Sequence, residues 1–206
     1  MTEGRRRSRL ETVCGAASLL LPLSLFMWTG APSPSWGDSG ELLATGFVFG
    51  SAHPPGHPVS ITFFKLLSLL PFGSLAFRGS LASALAAALT SFILFRISLV
   101  TARSLDQKAP RWMAPIFGLL GGVFLSSTPA LWSGATQSGA HSLQLALEAL
   151  CFFSLFHFAL GERGARDGRH LTAATLAFGL ALSNHHFSAL LLLPGIILLL
   201  TEDAMK

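Results

Sequence analysis

Four long apolar stretches constrain the fold of this chain more than any other feature of its sequence. They cover about residues 12–31, 76–100, 112–132 and 141–160. A helix rises 1.5 Å per residue, so roughly 20 apolar residues cross a hydrocarbon core about 30 Å thick. Hydrophobic residues make up 51% of the 206 residues and charged residues only 12%, which is unlike a soluble domain. The predicted fold class is all-α, a polytopic transmembrane helical bundle.

Basic residues are distributed unevenly around these stretches. They gather before the first stretch, between the second and third, and after the fourth, whereas residues 133–140 carry no charge. Cytoplasmic loops carry the excess of Lys and Arg, so the N-terminus is predicted to be cytoplasmic, with residues 1–11 as a basic tail. The net charge of +4 then reflects membrane orientation and not a nucleic-acid surface. The residues concerned are Arg5, Arg6, Arg7, Arg9, Arg103, Lys108, Arg111, Arg163, Arg166 and Arg169.

Both ends of the chain allow two interpretations. The basic N-terminus and first apolar run are also typical of a secretory signal, but the length of the run favours a retained anchor. The apolar block 171–200 is too long for one crossing as a single helix and too short for two full ones. A helical hairpin with Asn184-His185-His186 at its tip is favoured. It would return residues 201–206 to the cytoplasm as a short tail.

A polar segment between the first two spans is the candidate functional site. It contains Asp38 and Glu41, followed by the sequence His53-Pro-Pro-Gly-His57-Pro58. Ionisable groups at a membrane boundary are costly to desolvate, so such a cluster points to function. The flanking residues 38–50 and 58–71 are too short to cross and are predicted to be helices that lie in the outer interface.

The residues alone leave the roles of these polar groups open. Asp38 and Glu41 have the spacing of a capping box, in which Asp38 caps a helix and Glu41 bonds back to its backbone. On spacing alone this interpretation is favoured over a catalytic base. Four histidines could converge on a metal ion, but neither pair has helical i, i+4 ligand spacing. No metal site and no soluble cofactor are therefore predicted, and a divalent cation is not favoured.

Two arginines and one glutamate lie inside the four predicted spans. Arg78 and Arg96 are about 27 Å apart along a helix, so each can reach an opposite interface. Glu148 falls at mid-span and is predicted to pair with a neighbour such as Gln144. A transporter needs ionisable groups along a path through the membrane, and Glu148 alone meets that requirement, so this class ranks last.

Several motifs together resemble a known family. They are Trp36-Gly-Asp38-Ser-Gly-Glu41, His53-Pro-Pro-Gly-His57-Pro58, Leu70-Pro71, Phe77-Arg78, and Asn184-His185-His186 before Leu193-Pro194. In this order they resemble the N-terminal part of a bacterial domain-of-unknown-function family related to the vertebrate transmembrane protein O-mannosyltransferase. That family has the GT-C glycosyltransferase architecture. The resemblance covers residues 12 to 200 and implies a bundle like the N-terminal half of such an enzyme.

The resemblance implies a reaction and a set of site residues. The donor would be a polyprenyl-phosphate sugar, expected to be mannose, and the acceptor a hydroxyl of a protein Ser or Thr or of a glycan, on the outward face of a bacterial inner membrane. Asp38 would be the base of a single inverting displacement. Glu41 would keep the helix-capping role described above. Arg78 and His53 or His57 would stabilise the leaving phosphate, and Lys65 is a weaker candidate for that role. The residues expected to bind substrate are Glu41, His53, His57, Arg78, Asn184, His185 and His186.

Two differences from the resembled family keep a second hypothesis open. Where that family has an acidic-aliphatic-Tyr sequence, this chain has Gly139-Ala140-His141. Family members also continue beyond the region that this chain covers, which leaves three alternatives: a fragment, a truncated relative, or one half of a split protein whose partner subunit supplies the remaining part. The alternative is therefore a non-catalytic membrane module or a subunit of a glycosylation or envelope assembly.

Overall fold

The computed structural model describes residues 2–105, 110–160 and 168–204, and within these ranges the chain forms ten helices and no strand. This confirms the predicted helical membrane bundle. The helices are α1 Thr2–Thr29, α2 Ser39–Val48, α3 Pro58–Ser68, α4 Leu75–Leu105, α5 Met113–Ser126, α6 Pro129–Thr136, α7 His141–Leu160, α8 Gly168–Asn184, α9 His186–Leu190 and α10 Leu193–Ala204.

Three helices are long and apolar enough to cross a membrane by themselves. They are α4, α7 and the Arg9–Thr29 part of α1. The central helix is α4, which contacts α1, α5, α6 and α7 as well as the short α3. Its buried face is rich in Ala and Ser, and such small side chains let neighbouring backbones approach closely. The bundle is therefore built around α4.

The stretch 112–132, predicted as one span, is instead two helices. The axes of α5 and α6 differ by 68°. Pro129 begins α6, and Thr128 before it is extended, with φ −69° and ψ 139°. Proline has no N–H to continue a helix, and it disfavours helical geometry in the preceding residue. The sequence therefore forces a sharp bend where a straight crossing was expected.

The two short helices of the first loop form a small layer against α4. Leu42 of α2 packs with Ile61 and Phe64 of α3, and this cluster also contains Ala82 of α4. Gly46 brings the backbone of α2 so close that a Cβ there would lie 2.7 Å from Cβ of Phe64. This packing fixes the position of the segment between the two helices, residues 49–57.

The apolar block 171–200 contains a break and not one continuous helix. Helix α8 ends at Asn184, and the chain continues into α9 and α10. Ile196 and Leu199 of α10 pack in the same cluster as Ala174 and Ala177 of α8, on Cys151 and Leu155 of α7. Residues near the start and near the end of the block thus pack against the same part of α7. A helical hairpin would have this arrangement.

An ion pair connects two helices at the end of the bundle opposite the first loop. Arg103 of α4 donates a hydrogen bond of 2.7 Å to Glu11 of α1. Arg96 is exposed and lies over the rings of Phe92 and Phe153. Several residues of the basic pattern fall outside the described positions: Lys108, Arg163 and Arg166, and the side chains of Arg5, Arg6 and Arg7.

The close approach of α4 to the first loop predicts a strong effect of a single methyl group. A Cβ at Gly79 would overlap the side chains of Leu43 and Ser138, whereas a Cβ at Gly121 of α5 meets nothing within 4 Å. We expect Gly79→Ala to lower the free energy of unfolding by about 1–3 kcal/mol. Thermal unfolding in detergent measures this, with Gly121→Ala as the matched control. Equal stability of both variants would contradict the packing.

Candidate functional site

A cavity of about 260 Å³ lies beneath the first loop. Its walls come from three separate parts of the chain: residues 36–57, the segment 137–141 that precedes α7, and the turn between α8 and α9. It brings together four of the predicted site residues and adds residues that the sequence did not single out. The lining residues are Trp36, Asp38, Ser39, Leu42, His53, Pro54, Pro55, His57, Gln137, Ser138, Gly139, Ala140, His141 and His185.

His53 bridges the two carboxylates of the loop. Its backbone N–H donates to Oε1 of Glu41 at 2.7 Å, and its Nδ1 lies 2.9 Å from Oε2 of Glu41. Its Nε2 is 3.8 Å from Oδ2 of Asp38. The hydrogen bond to Glu41 raises the pKa of His53, and the same bond lowers the pKa of Glu41. The imidazole is thus held next to Asp38 by a charge-assisted pair.

The capping-box interpretation is wrong for both carboxylates. Asp38 is the residue before α2, but its side chain makes no capping hydrogen bond. Both oxygens of Glu41 accept from His53, so neither bonds back to the start of its own helix. Two converging donors, one of them a ring nitrogen that can carry charge, bind a carboxylate more strongly than one backbone N–H. The carboxylate of Asp38 is left exposed at the cavity.

The turn between the two short helices presents the histidines. Gly56 donates its N–H to the carbonyl of His53 at 2.8 Å and has φ +92°, a conformation suited to glycine. His57 also has a positive φ, +47°, which costs a non-glycine residue on the order of 1 kcal/mol. Packing of α3 on α2 fixes this strained geometry. It directs His57 into the interior, where the residue is only 5% exposed.

Four imidazoles form a row along the cavity. The ring of His57 lies 5.7 Å from that of His53 and stacks on that of His185 at 5.6 Å, and the ring of His141 is 6.1 Å from His185. Burial lowers the pKa of His57, and its histidine neighbours lower it further. The charged form is therefore favoured at His53, beside the carboxylates, and disfavoured at His57 in the interior.

Asn184 does not line the cavity, but its hydrogen bonds connect the helices that form the cavity wall. It is fully buried, accepts the N–H of Ser60 at 3.0 Å and donates to Oε1 of Gln144, also at 3.0 Å. Gln144 donates in turn to Glu148 at 2.8 Å and to the carbonyl of His185 at 3.4 Å. The structure thus places Asn184 as a positioning residue, in contrast to the predicted contact with substrate. The predicted pairing of Glu148 with Gln144 is confirmed.

Three further candidates point away from the cavity. The guanidinium of Arg78 donates to the carbonyls of Ser68, Gly73 and Phe72, which end α3 and form the loop after it. Lys65 donates to the carbonyl of Phe47 at 2.7 Å. His186 is exposed and lies beside Phe187. Unsatisfied carbonyls at helix ends attract cations, so both basic side chains serve the short helices.

A second cavity, of about 410 Å³, adjoins the first. It lies between α6, α7 and α9, and Gln137 and His141 line both cavities. No Lys or Arg lines either cavity in the described part of the chain. The sequence analysis did not select Gln137 or His141. The available signal for His141 was its place in Gly139-Ala140-His141, where the resembled family has a different sequence.

One group of residues has the ligands that a metal ion needs. Ligand atoms of Asp38, Glu41 and His53 lie within 4.8 Å of one another, and all three residues are exposed. Carboxylate oxygens with one imidazole suit a divalent cation. A protonated His53 would place one positive charge between the same two carboxylates, so the geometry also fits a protonated bridge without a metal ion.

The helical bundle and its long apolar helices define an integral membrane protein with two adjoining cavities. The family model described as the N-terminal domain of protein O-mannosyl-transferase TMEM260 matches residues 38–205, and the chain belongs to that family. The predicted relation to the transmembrane O-mannosyltransferases is thereby confirmed.

Two curated proteins illustrate the relationship. The mouse (Mus musculus) protein O-mannosyl-transferase TMEM260 is 31% identical over 202 residues, which cover 93% of this chain and 25% of that protein. The Dictyostelium discoideum protein O-mannosyl-transferase tmem260 is 26% identical over 188 residues, which cover 82% of this chain and 21% of that protein. The chain therefore spans about a quarter of the length of these relatives. No solved structure matches it.

The pair formed by Glu41 and His53 should stabilise the loop only within a pH window. The pKa of Glu41 is lowered, so its contribution is present above the ordinary carboxyl pKa and is lost as the pH falls through the lowered value. The pKa of His53 is raised, so its contribution is present below 6.5 and is lost as the pH rises through the raised value.

NMR titration of the imidazoles measures this directly. We expect the pKa of His53 above 6.5 and that of His57 below 6.5. Glu41→Gln should bring the pKa of His53 back toward 6.5 because it removes the charged acceptor, while the pKa of His57, lowered mainly by burial, should stay below 6.5. A His53 titration that is the same in both proteins would show that Glu41 is not its partner.

The buried amide predicts a second large stability effect. Asn184→Ala leaves the N–H of Ser60 and Oε1 of Gln144 without their partner, and each buried unsatisfied group costs about 1–3 kcal/mol. We expect a loss of about 2–4 kcal/mol in the free energy of unfolding. The exposed Ser183, whose hydroxyl donates to a carbonyl of its own helix, provides the control Ser183→Ala. A loss no larger than in this control would refute the role of Asn184.

Proposed function

We propose that this chain carries the transfer site for a mannosyl group, from a polyprenyl-phosphate donor to a hydroxyl acceptor such as a protein Ser or Thr. Membership of the TMEM260 N-terminal domain family supports the reaction class. The observation that carries the proposal is the exposed carboxylate of Asp38 at the edge of the first cavity. The outward face of the membrane, with a cytoplasmic N-terminus, is the proposed side of the reaction.

In this proposal Asp38 acts as the general base. A hydroxyl is a poor nucleophile until a carboxylate within hydrogen-bond reach takes its proton. The side chain of Asp38 is 60% exposed, and its nearest charged partner, His53, is 3.8 Å away, beyond an ordinary hydrogen bond. In an inverting displacement the acceptor oxygen attacks the anomeric carbon, the proton passes to Asp38, and the polyprenyl phosphate leaves.

The leaving phosphate needs positive charge or hydrogen-bond donors. Because no Lys or Arg lines either cavity in the described residues, the histidines are the lining side chains there that can carry positive charge. His53 has a raised pKa and stands beside Asp38, and His141 and His185 extend the row toward the second cavity. We assign the phosphate contact to these side chains in place of Arg78.

The same absence of basic lining residues favours one alternative. A site that handles a phosphate without Lys or Arg is completed most simply by a basic residue from another polypeptide segment. The curated relatives are about four times as long as the region that this chain matches. The alternative function is therefore a membrane module that contributes Asp38 and the histidines to a site shared with a partner subunit.

A transfer assay tests the proposal. The chain, purified into lipid nanodiscs, is given polyprenyl-phosphate mannose with a labelled sugar and a Ser/Thr-containing acceptor peptide. We expect transfer by the parent chain and a decrease of about 10²- to 10⁴-fold in Asp38→Asn, because the amide cannot accept the proton. Glu11→Gln removes a carboxylate at the other end of the bundle and should leave the rate unchanged.

The outcomes separate the hypotheses. Transfer that survives in a folded Asp38→Asn variant refutes the base. A folded parent chain that transfers nothing refutes an autonomous enzyme and favours the module that needs a partner subunit. Restoration of transfer by a co-expressed partner, still dependent on Asp38, would establish the shared site.

A further inference from the structure

Glu148 is a carboxylate in the middle of α7 whose charge is only partly compensated. Gln144 donates to its Oε1 at 2.8 Å, and the hydroxyl of Ser188 donates to the same oxygen. Within the described residues, Oε2 has no hydrogen-bond partner. An ionisable group inside a span is expensive unless it is paired or functional. Since Glu148 lines the second cavity, Oε2 is available to a molecule that occupies it.

The lining of the second cavity selects the chemistry of that molecule. Hydroxyl, amide and imidazole groups surround Glu148, supplied by Ser133, Gln137, His141, Gln144 and Ser188. An anion would be repelled by Glu148, and an apolar ligand would leave its Oε2 without a partner. A neutral ligand with several hydroxyls can donate to the carboxylate and also exchange hydrogen bonds with the serines and amides.

Size and position narrow the ligand further. A volume of about 410 Å³ falls in the range of small-molecule pockets and suits a single hexose. Gln137 and His141 separate this cavity from the one that contains Asp38. We propose that the second cavity binds the pyranose ring of the glycosyl donor, with Oε2 of Glu148 accepting hydrogen bonds from ring hydroxyls. This inference rests on the proposed function, because it assumes the glycosyl donor of that reaction and places parts of the donor in two neighbouring cavities.

Glu148 and Asp38 have different roles in this arrangement. In this division of the donor, Glu148 binds the neutral sugar through Oε2, while Gln144 and Ser188 hold Oε1 in place. Asp38, across the shared wall, meets the acceptor hydroxyl. The histidines between them lie where the phosphate of the donor would join the two parts.

A binding comparison tests the role of Glu148. The chain in nanodiscs is titrated with polyprenyl-phosphate mannose and with polyprenyl phosphate, and the ratio of the two affinities isolates the contribution of the sugar. We expect the parent chain to prefer the sugar-bearing lipid, and Glu148→Gln to reduce this preference about tenfold or more. Affinity for the sugarless lipid should not fall in this variant. Glu11→Gln is the matched carboxylate-to-amide control and should keep the full preference.

A second set of titrations uses only the parent chain. It therefore tests the inference even if Glu148→Gln fails to fold. Donors that lack one ring hydroxyl are titrated against the parent chain, and at least one should lose about tenfold in affinity. A parent chain without preference for the sugar-bearing lipid overturns the inference. So does a full preference in folded Glu148→Gln, or equal affinity for every deoxy donor.

Transfer measured on the same preparations separates this inference from the proposed function. A Glu148-dependent sugar preference without transfer supports the sugar site and refutes the enzyme. Transfer with a preference that is independent of Glu148 refutes the sugar site alone.

Discussion

The buried side chain of Asn184 is the contact on which the rest of the site depends. It joins α3, through Ser60, to α7, through Gln144, at the point where α8 ends. Inside a membrane bundle an unpaired amide is costly, so these bonds can form in only one relative position of the three helices. With α8 fixed there, His185 follows immediately and stacks on His57. Parts of the chain more than 120 residues apart are thereby brought to a single cavity.

A second consequence of this contact is that strain in the first loop can be maintained. His57 adopts a left-handed backbone conformation that an isolated peptide would seldom populate. Its ring is held between His53 and His185, while Pro58 begins α3 directly after it. The rigid turn, the short helices and the tip after α8 therefore support one another. Such mutual support is how a loop at the membrane boundary keeps several polar groups in a fixed geometry.

The sequence predicted the fold class well and the site only in part, for physical reasons. Hydropathy determines which segments enter a membrane, and the i, i+4 spacing was enough to pair Gln144 with Glu148. Glu41 was assigned to its own helix because local spacing cannot reveal a donor 12 residues away. Arg78 was assigned to the phosphate because its carbonyl partners depend on how the loop after α3 folds. The position of His141 in the wall of both cavities could be recognised only from the structure, because it depends on how α7 packs beside the first loop.

The bend between α5 and α6 also affects the surrounding lipid. The 14 residues of α5 rise about 21 Å, and the eight residues of α6, turned by 68°, add about 4–5 Å along the same axis. Their combined reach of about 25 Å is less than a typical hydrocarbon thickness of about 30 Å. A span shorter than the hydrocarbon layer is accommodated by local thinning of the bilayer or by flanking side chains that reach to the interface. We therefore expect the bilayer to be thinner beside α6, which also forms one wall of the second cavity.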